Sequence, residues 1–276
     1  MHDVVANYKD LPTGFEVCGS MRFHRPLLLT VAACGLAQDI TPPEKERTVQ
    51  RIVASARSFD SHLPNFVCKQ VTRRFQANSD RGPWRQLDMY EDELTYFERK
   101  EKYRLISING KPSKLRHENL RGGFRSEGVF GSMFSRVFRP ESKAEFEWAR
   151  TEPLDGRTAN VLRFRVLKEN SQWKSTSNGN VYVRGFEGWI WADASNDAVL
   201  RLEATAISEA GDPEWLQSTH VDLRYGVVSV GGANQLLPIR AESRISLAKK
   251  NRRNVSEFSD FRQYKSQTTI NFAEVQ

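Results

Sequence analysis

Apolar and polar residues change rhythm several times along this chain, and each change predicts an element. An apolar run from Leu27 to Ala33 lies between Arg25 and Asp39 and is too short to cross a bilayer. From Thr41 the spacing becomes helical: Val49, Ile52, Val53, Ala56 and Phe59 fall on one face, with Glu46, Arg47, Gln50 and Arg57 elsewhere, until Pro64 stops the pattern. Thr41-Pro42-Pro43-Glu44 supplies a start signal, with Thr41 as cap, Pro42 in the first turn and Glu44 closing a capping box.

From Phe66 onward the period falls to two. Short β segments begin with "FVCKQVTRRF", "WRQLDMYEDELTYFERK" and "YRLISIN" and continue through "ANVLRFRVL", "EGWIWAD", "AVLRLEATAI" and "LLPIRAESRISLA" to "TTINF". Turn signals at Asn109-Gly110, Asn178-Gly179, Ser195-Asn196-Asp197, Gly231-Gly232 and Asn251 to Asn254 separate them. The pattern is that of an antiparallel meander of about ten strands, an α+β chain that is mainly β. One segment interrupts it. Between Gly122-Gly123 and Pro140, "SEGVFGSMFSRVF" sets Val129, Phe130, Met133, Phe134, Val137 and Phe138 on one helical face from about Ser126 to Phe138. Gly128, Gly131 and the short length disfavour this helix in isolation, so it needs an apolar partner. It reads either as a cap on the core or as a lid over a cavity, with Trp148, Phe164, Trp189 and Trp191 as aromatic partners from flanking strands.

The segment "MRFHRPLLLTVAACGLAQD" has the order of an export signal: Met21, the cations Arg22 and Arg25, an apolar stretch, then small residues. Residues 1–20 carry Asp3, Asp10 and Glu16 without periodicity, which points to translation from Met21 with 1–20 as a start-site artefact. Cleavage after Gly35-Leu36-Ala37 would leave residues 38–276 as a single domain. Reading Val31-Ala32-Ala33-Cys34 as a lipobox would instead make Cys34 a lipidated first residue. Soluble export is favoured, since Cys also serves as an ordinary small apolar residue.

Removing residues 1–37 takes away three cations (Lys9, Arg22, Arg25) and three carboxylates (Asp3, Asp10, Glu16), so the formal charge of +7 is unchanged. A basic exported domain fits anionic lipid headgroups or acidic glycans, and export argues against nucleic acid. If Cys34 leaves with the signal, Cys68 is the one remaining cysteine, read as a small hydrophobe in a strand.

Catalytic patterns are missing. His62, His117 and His220 are scattered, and the sequence holds no H-x-x-x-H, C-x-x-C or G-x-S-x-G; "RGGFRSEGVFG" lacks the G-K-[ST] of a phosphate loop. Asp193 with Asp197, and Glu91 with Glu93, read as solvated charges at turns and strand edges, and "KKNRR" at 249–253 as a hairpin tip that could meet lipid headgroups. No metal site, cofactor or reaction is expected.

Gly188-Trp189-Ile190-Trp191-Ala192-Asp193, a polar turn, then Val199-Leu200-Arg201-Leu202-Glu203 resembles the strand-turn-strand hairpin of the outer-membrane lipoprotein carrier (LolA/LolB-like) superfamily, with Ala192 in place of a branched residue and Ser195 in place of Thr. Longer stretches, "LPNFVCKQVTRRF", "ELTYFERKEKYRLISING" and "GGFRSEGVFGSMFSRVFRPESKAEFEW" among them, look similar to a group of secreted proteins from acidobacterial-type genomes. The carrier resemblance implies a strongly curved antiparallel sheet, a half-open barrel with helices plugging its mouth and an acyl-chain cavity inside. It implies an exported protein, periplasmic or associated with the outer membrane, that carries or senses a lipid, acyl chain or other hydrophobic ligand without catalysis. An envelope scaffold with a filled core is the alternative.

Overall fold

The computed structural model describes residues 41–79, 82–120, 124, 131–177, 180–208, 212, 216–247 and 250–264. Helix α1 (Pro42–His62) leads into β1 (Phe66–Ala77), β2 (Arg85–Phe97), β3 (Lys100–Ile108) and β4 (Lys111–Pro112). A short helix α2 (Ser132–Phe138) follows, then β5 (Glu145–Leu154), β6 (Arg157–Val166), β7 (Lys174–Ser177) and β8 (Asn180–Val183). The chain continues through β9 (Phe186–Asp193), β10 (Val199–Ala206), β11 (Leu216–Val230), β12 (Ala233–Leu247) and β13 (Asn251–Gln263).

Eleven strands make one antiparallel sheet in the order β4-β3-β2-β1-β13-β12-β11-β10-β9-β6-β5. The expected meander is therefore real but incomplete. β7 and β8 pair only with each other, and β1 joins β13, nearly two hundred positions away, through pairs such as Thr72↔Ser256. The sheet does not close into a barrel; β4 and β5 are its edges. "TTINF", Asn178-Gly179 and the export segment lie outside the described residues.

Strand alternation places one row of β1 inward, Phe66, Cys68, Gln70, Thr72 and Arg74, all buried. Burial pushes the Cys68 thiol up, with help from Glu101, as befits an inert core group. Asn109 (φ 51°) and Gly110 (φ 75°) form the tight turn their types predict. The predicted capping box does not form. The Thr41 carbonyl instead accepts the Glu44 and Lys45 amides at 3.0 Å each, and its side chain makes no cap bond. The amphipathic face of α1 is as read, with Ile52 and Ala56 in the core and Val49 and Phe59 against it.

Gly188 is the residue of the Trp-rich hairpin that packing dictates. It pairs with Ala204 of β10, and a Cβ there would sit 1.8 Å from the Glu203 carbonyl oxygen. Backbone cannot yield as a flexible side chain does, so Gly188→Ala is expected to cost about 2–3 kcal/mol or more. Chemical denaturation checks this; a midpoint within error of the parent would show that β9 and β10 separate easily.

Candidate functional site

Both helices pack into the core on the inward face of the sheet, and a buried carboxylate joins them. Asp60, at the end of α1, accepts hydrogen bonds from Ser135 Oγ of α2 and from Arg99 Nη2 in the β2–β3 turn, with Arg139 Nε 3.7 Å away. Glu101 of β3 holds the start of α2: its Oε1 accepts from the Gly131 and Ser132 amides at 2.9 and 3.0 Å and from Ser132 Oγ at 3.0 Å. Burial near these carboxylates pushes the Tyr96 phenol up to about 12.

Four of the sequence-predicted site residues, Met133, Phe134, Val137 and Phe138, are brought together beneath α2, each at most 3% exposed. Their surroundings are side chains. The Phe134 ring centroid lies 5.1 Å from Phe59, 4.6 Å from Phe138 and 5.6 Å from Tyr225, and Phe138 stacks on Phe146 at 5.7 Å. Phe164 is buried in the same core. Val129, Phe130 and Cys34 lie outside the described residues.

Trp189 and Trp191 are not brought to this cluster. The core takes Ile190 between them, so alternation turns both indoles to the opposite face. There Trp191 packs with Ala159 and Val161, donates to Glu152 Oε1 at 2.5 Å and lies under Arg201. Arg150 lies over Trp189. These indoles belong to a charged ladder on the face of the sheet opposite the apolar side of α2.

An open groove of about 710 Å³ runs along α1 from Pro42 to Arg57 and is closed on its other side by Phe146, Glu147 and Trp148 of β5. Its apolar lining comes from Val49, Val53, Ala54, Phe146 and Trp148, and Lys45 Nζ sits 4.6 Å over the Trp148 ring. Arg57 Nε donates to the Phe138 carbonyl at 2.9 Å, which ties the groove wall to the end of α2. Sequence reading found Trp148 but missed the groove, because only tertiary packing sets residues 42–57 beside residues 146–148. β5 pairs with β6 alone. The volume is within the range typical of small-molecule sites.

Another part of the inward face is polar. Gln70, Thr72, Arg74, Tyr90, Asp92, Asn254 and Ser256 are buried there. Thr72 Oγ1 and Ser256 Oγ are 2.8 Å apart, and Gln70 Nε2 donates to Thr72 at 2.9 Å. Arg74 donates to both oxygens of Asp88. His117, read from sequence as a linker residue, is 5% exposed, stacks on Tyr103 and lies 3.2 Å from buried Asp92. Asp193 corrects the solvated-charge reading. It is 5% exposed, and hydrogen bonds from the Ser195 hydroxyl and amide, with Arg157, hold its carboxyl below the usual range. It fixes the β9–β10 turn, and Asp197 of that turn accepts Arg51 of α1 at 3.1 Å. Among the described residues no cluster of His, Cys, Asp and Glu is arranged to hold a metal ion, and no helix is long and apolar enough to cross a membrane.

No family model and no curated protein matches the chain, so the likeness to acidobacterial-type secreted proteins gains no support. Solved structures do resemble it. A LolA superfamily protein from Nitrosomonas europaea is 15% identical, over 79% of this chain and 94% of that one, with a TM-score of 0.38. A DUF1329 family protein from Desulfovibrio piger is 10% identical over 80% and 95%, at 0.37. An outer membrane lipoprotein-sorting protein domain from Vibrio parahaemolyticus is 13% identical over 79% and 92%, at 0.36. The chain is similar to these proteins in outline, and its own strand order and register define its fold.

Proposed function

We propose that this is an exported cell-envelope protein that binds an acyl chain or similar apolar ligand without catalysis, and that the ligand lies in the groove between α1 and β5. The groove itself carries the reading: an open groove with apolar lining from Val49, Val53, Ala54, Phe146 and Trp148, and with Lys45, Glu46, Gln50, Arg57 and Glu147 among its polar lining. Residues 42–57 correspond to about 22 Å of helix at ~1.5 Å per residue, which favours a long, thin ligand. Met133, Phe134, Val137 and Phe138 then act as packed support rather than as ligand contacts. The export order of residues 21–37 supports the location.

The test is titration of a fluorescent fatty acid into the purified mature protein. Val49→Asp, at a half-buried position against the core, and Ala54→Trp, at an exposed one, are each expected to raise the probe's Kd at least about tenfold, and Ala54→Trp to leave the melting temperature within a few degrees of the parent. Unchanged binding in both variants would remove the groove from the proposal. No binding by the parent protein would leave the second reading, an envelope scaffold, which the side-chain packing beneath α2 favours.

A further inference from the structure

Arginines over most of this sheet are matched by acids: Arg73 with Glu257, Arg104 with Glu93, Arg163 with Glu187, Arg201 with Asp222, and Arg240 and Arg244 with Glu242. One end of the sheet breaks this pattern. Because β1 pairs with both β2 and β13, the end of β1 lies between the starts of β2 and β13. Gln76 faces Arg85 on one side and Arg252 on the other, and Arg252 donates to the Gln76 side chain. One residue along, Phe75 pairs with Arg253, whose guanidinium lies 4.7 Å from the ring centroids of both Phe75 and Trp84. Lys250 is exposed just before β13. Among the described residues no carboxylate comes within ion-pair distance of Arg85, Arg252 or Arg253. Neighbouring Arg74 and Arg85 add to burial in pulling the Arg252 guanidinium below its ordinary range.

We propose that this end of the sheet, built from Arg85, Arg252, Arg253 and Lys250 around Trp84, is a docking surface for an anionic lipid bilayer. Alternation sends Arg85 and Arg252 to one face of the sheet and Arg253 to the other, so the cations are spread over both faces of the strand ends instead of converging on one small anion. Cations that have no acid partner among the described residues, set at the end of a sheet, match a plane of negative headgroups. The half-buried indole of Trp84, clamped by Arg253, is the amphipathic group that settles at a membrane–water interface. This surface is formed by β1, β2 and β13, apart from the groove between α1 and β5, and does not depend on ligand binding there.

Co-sedimentation with vesicles tests it, using phosphatidylcholine alone and phosphatidylcholine mixed with phosphatidylglycerol. The parent protein should bind the anionic vesicles only, and added salt should release it. Arg85→Gln alone should lower partitioning roughly fivefold and Arg85→Gln/Arg252→Gln about 25-fold. Arg163→Gln, at a paired arginine, should change it less than about twofold. A thermal melt separates loss of the surface from loss of the fold, and the exposed Arg85 variant alone carries the test if the double variant melts early. Binding to neutral vesicles, no binding to anionic ones, or an unaffected double variant would each overturn the proposal. So would competition by inorganic phosphate at low concentration, which would mark a pocket for a single anion, or binding to heparin without binding to vesicles.

Discussion

Ile52→Asp is expected to leave the domain unfolded under conditions in which the parent protein is fully folded. Ile52 is 0% exposed and sits in the core cluster between α1 and the sheet. Losing that side chain removes roughly 1.5–3 kcal/mol of burial, and the new carboxylate must be desolvated without a partner, at several kcal/mol more. The total is of the order of the whole stability of a typical domain, about 5–15 kcal/mol. Far-ultraviolet circular dichroism with a urea titration checks the outcome, and Ile52→Val, expected to cost about 0.5–1.5 kcal/mol, calibrates the site. A folded, cooperatively melting Ile52→Asp protein would show that α1 is dispensable to the sheet. The groove along α1 would then have no fixed wall.

Arg184→Met is expected to be nearly as damaging, by about 3–5 kcal/mol. Arg184 is fully buried where β8 leads into β9, and it bonds the stretch that follows β10: its Nε lies 3.0 Å from Asp212 Oδ2 and 3.2 Å from the Ile207 carbonyl, and its Nη2 donates to Ser208 Oγ at 3.0 Å. Methionine fills similar volume but leaves Asp212, 11% exposed, without this partner. Removing the charge as well, in Arg184→Met/Asp212→Asn, should recover part of the loss. A double-mutant cycle measured in urea reads the coupling. Additive single losses would mean that Asp212 is solvated and that Arg184 matters only through its backbone contacts.

These two expectations differ in how far they could be read from sequence. Ile52 follows from helical spacing alone. Arg184 does not, since nothing in "NVYVRGFEGW" separates a buried arginine from a solvated one. Asp60 and Asp193 are similar cases: each looks like a surface charge until Ser135 and Arg99, or Ser195 and Arg157, surround it. His117 reads as a linker residue and becomes a buried neighbour of Asp92 because the chain after β4 folds back over the inward face. The helical face of Met133, Phe134, Val137 and Phe138 was legible as apolar, but its role was not, since periodicity says that a face is covered without saying by what.

The sequence by itself determined the local structure: α1 from its apolar spacing, the strands from period-two alternation, the turns at Asn109-Gly110 and Gly231-Gly232 from residues that accept positive φ, and an antiparallel, mainly β class from the shortness of most connections. Local sterics and local burial set these features, and neither depends on distant residues. Tertiary structure alone decided the pairing of β1 with β13, the turning of Trp189 and Trp191 away from the core, the groove between α1 and β5, and the gathering of Arg85, Arg252 and Arg253 at one end of the sheet. Each depends on which strand lies beside which and on which face meets the helices. Alternation fixes only that successive side chains point opposite ways, so a one-residue change of register exchanges the two faces, and contacts between distant segments settle the choice.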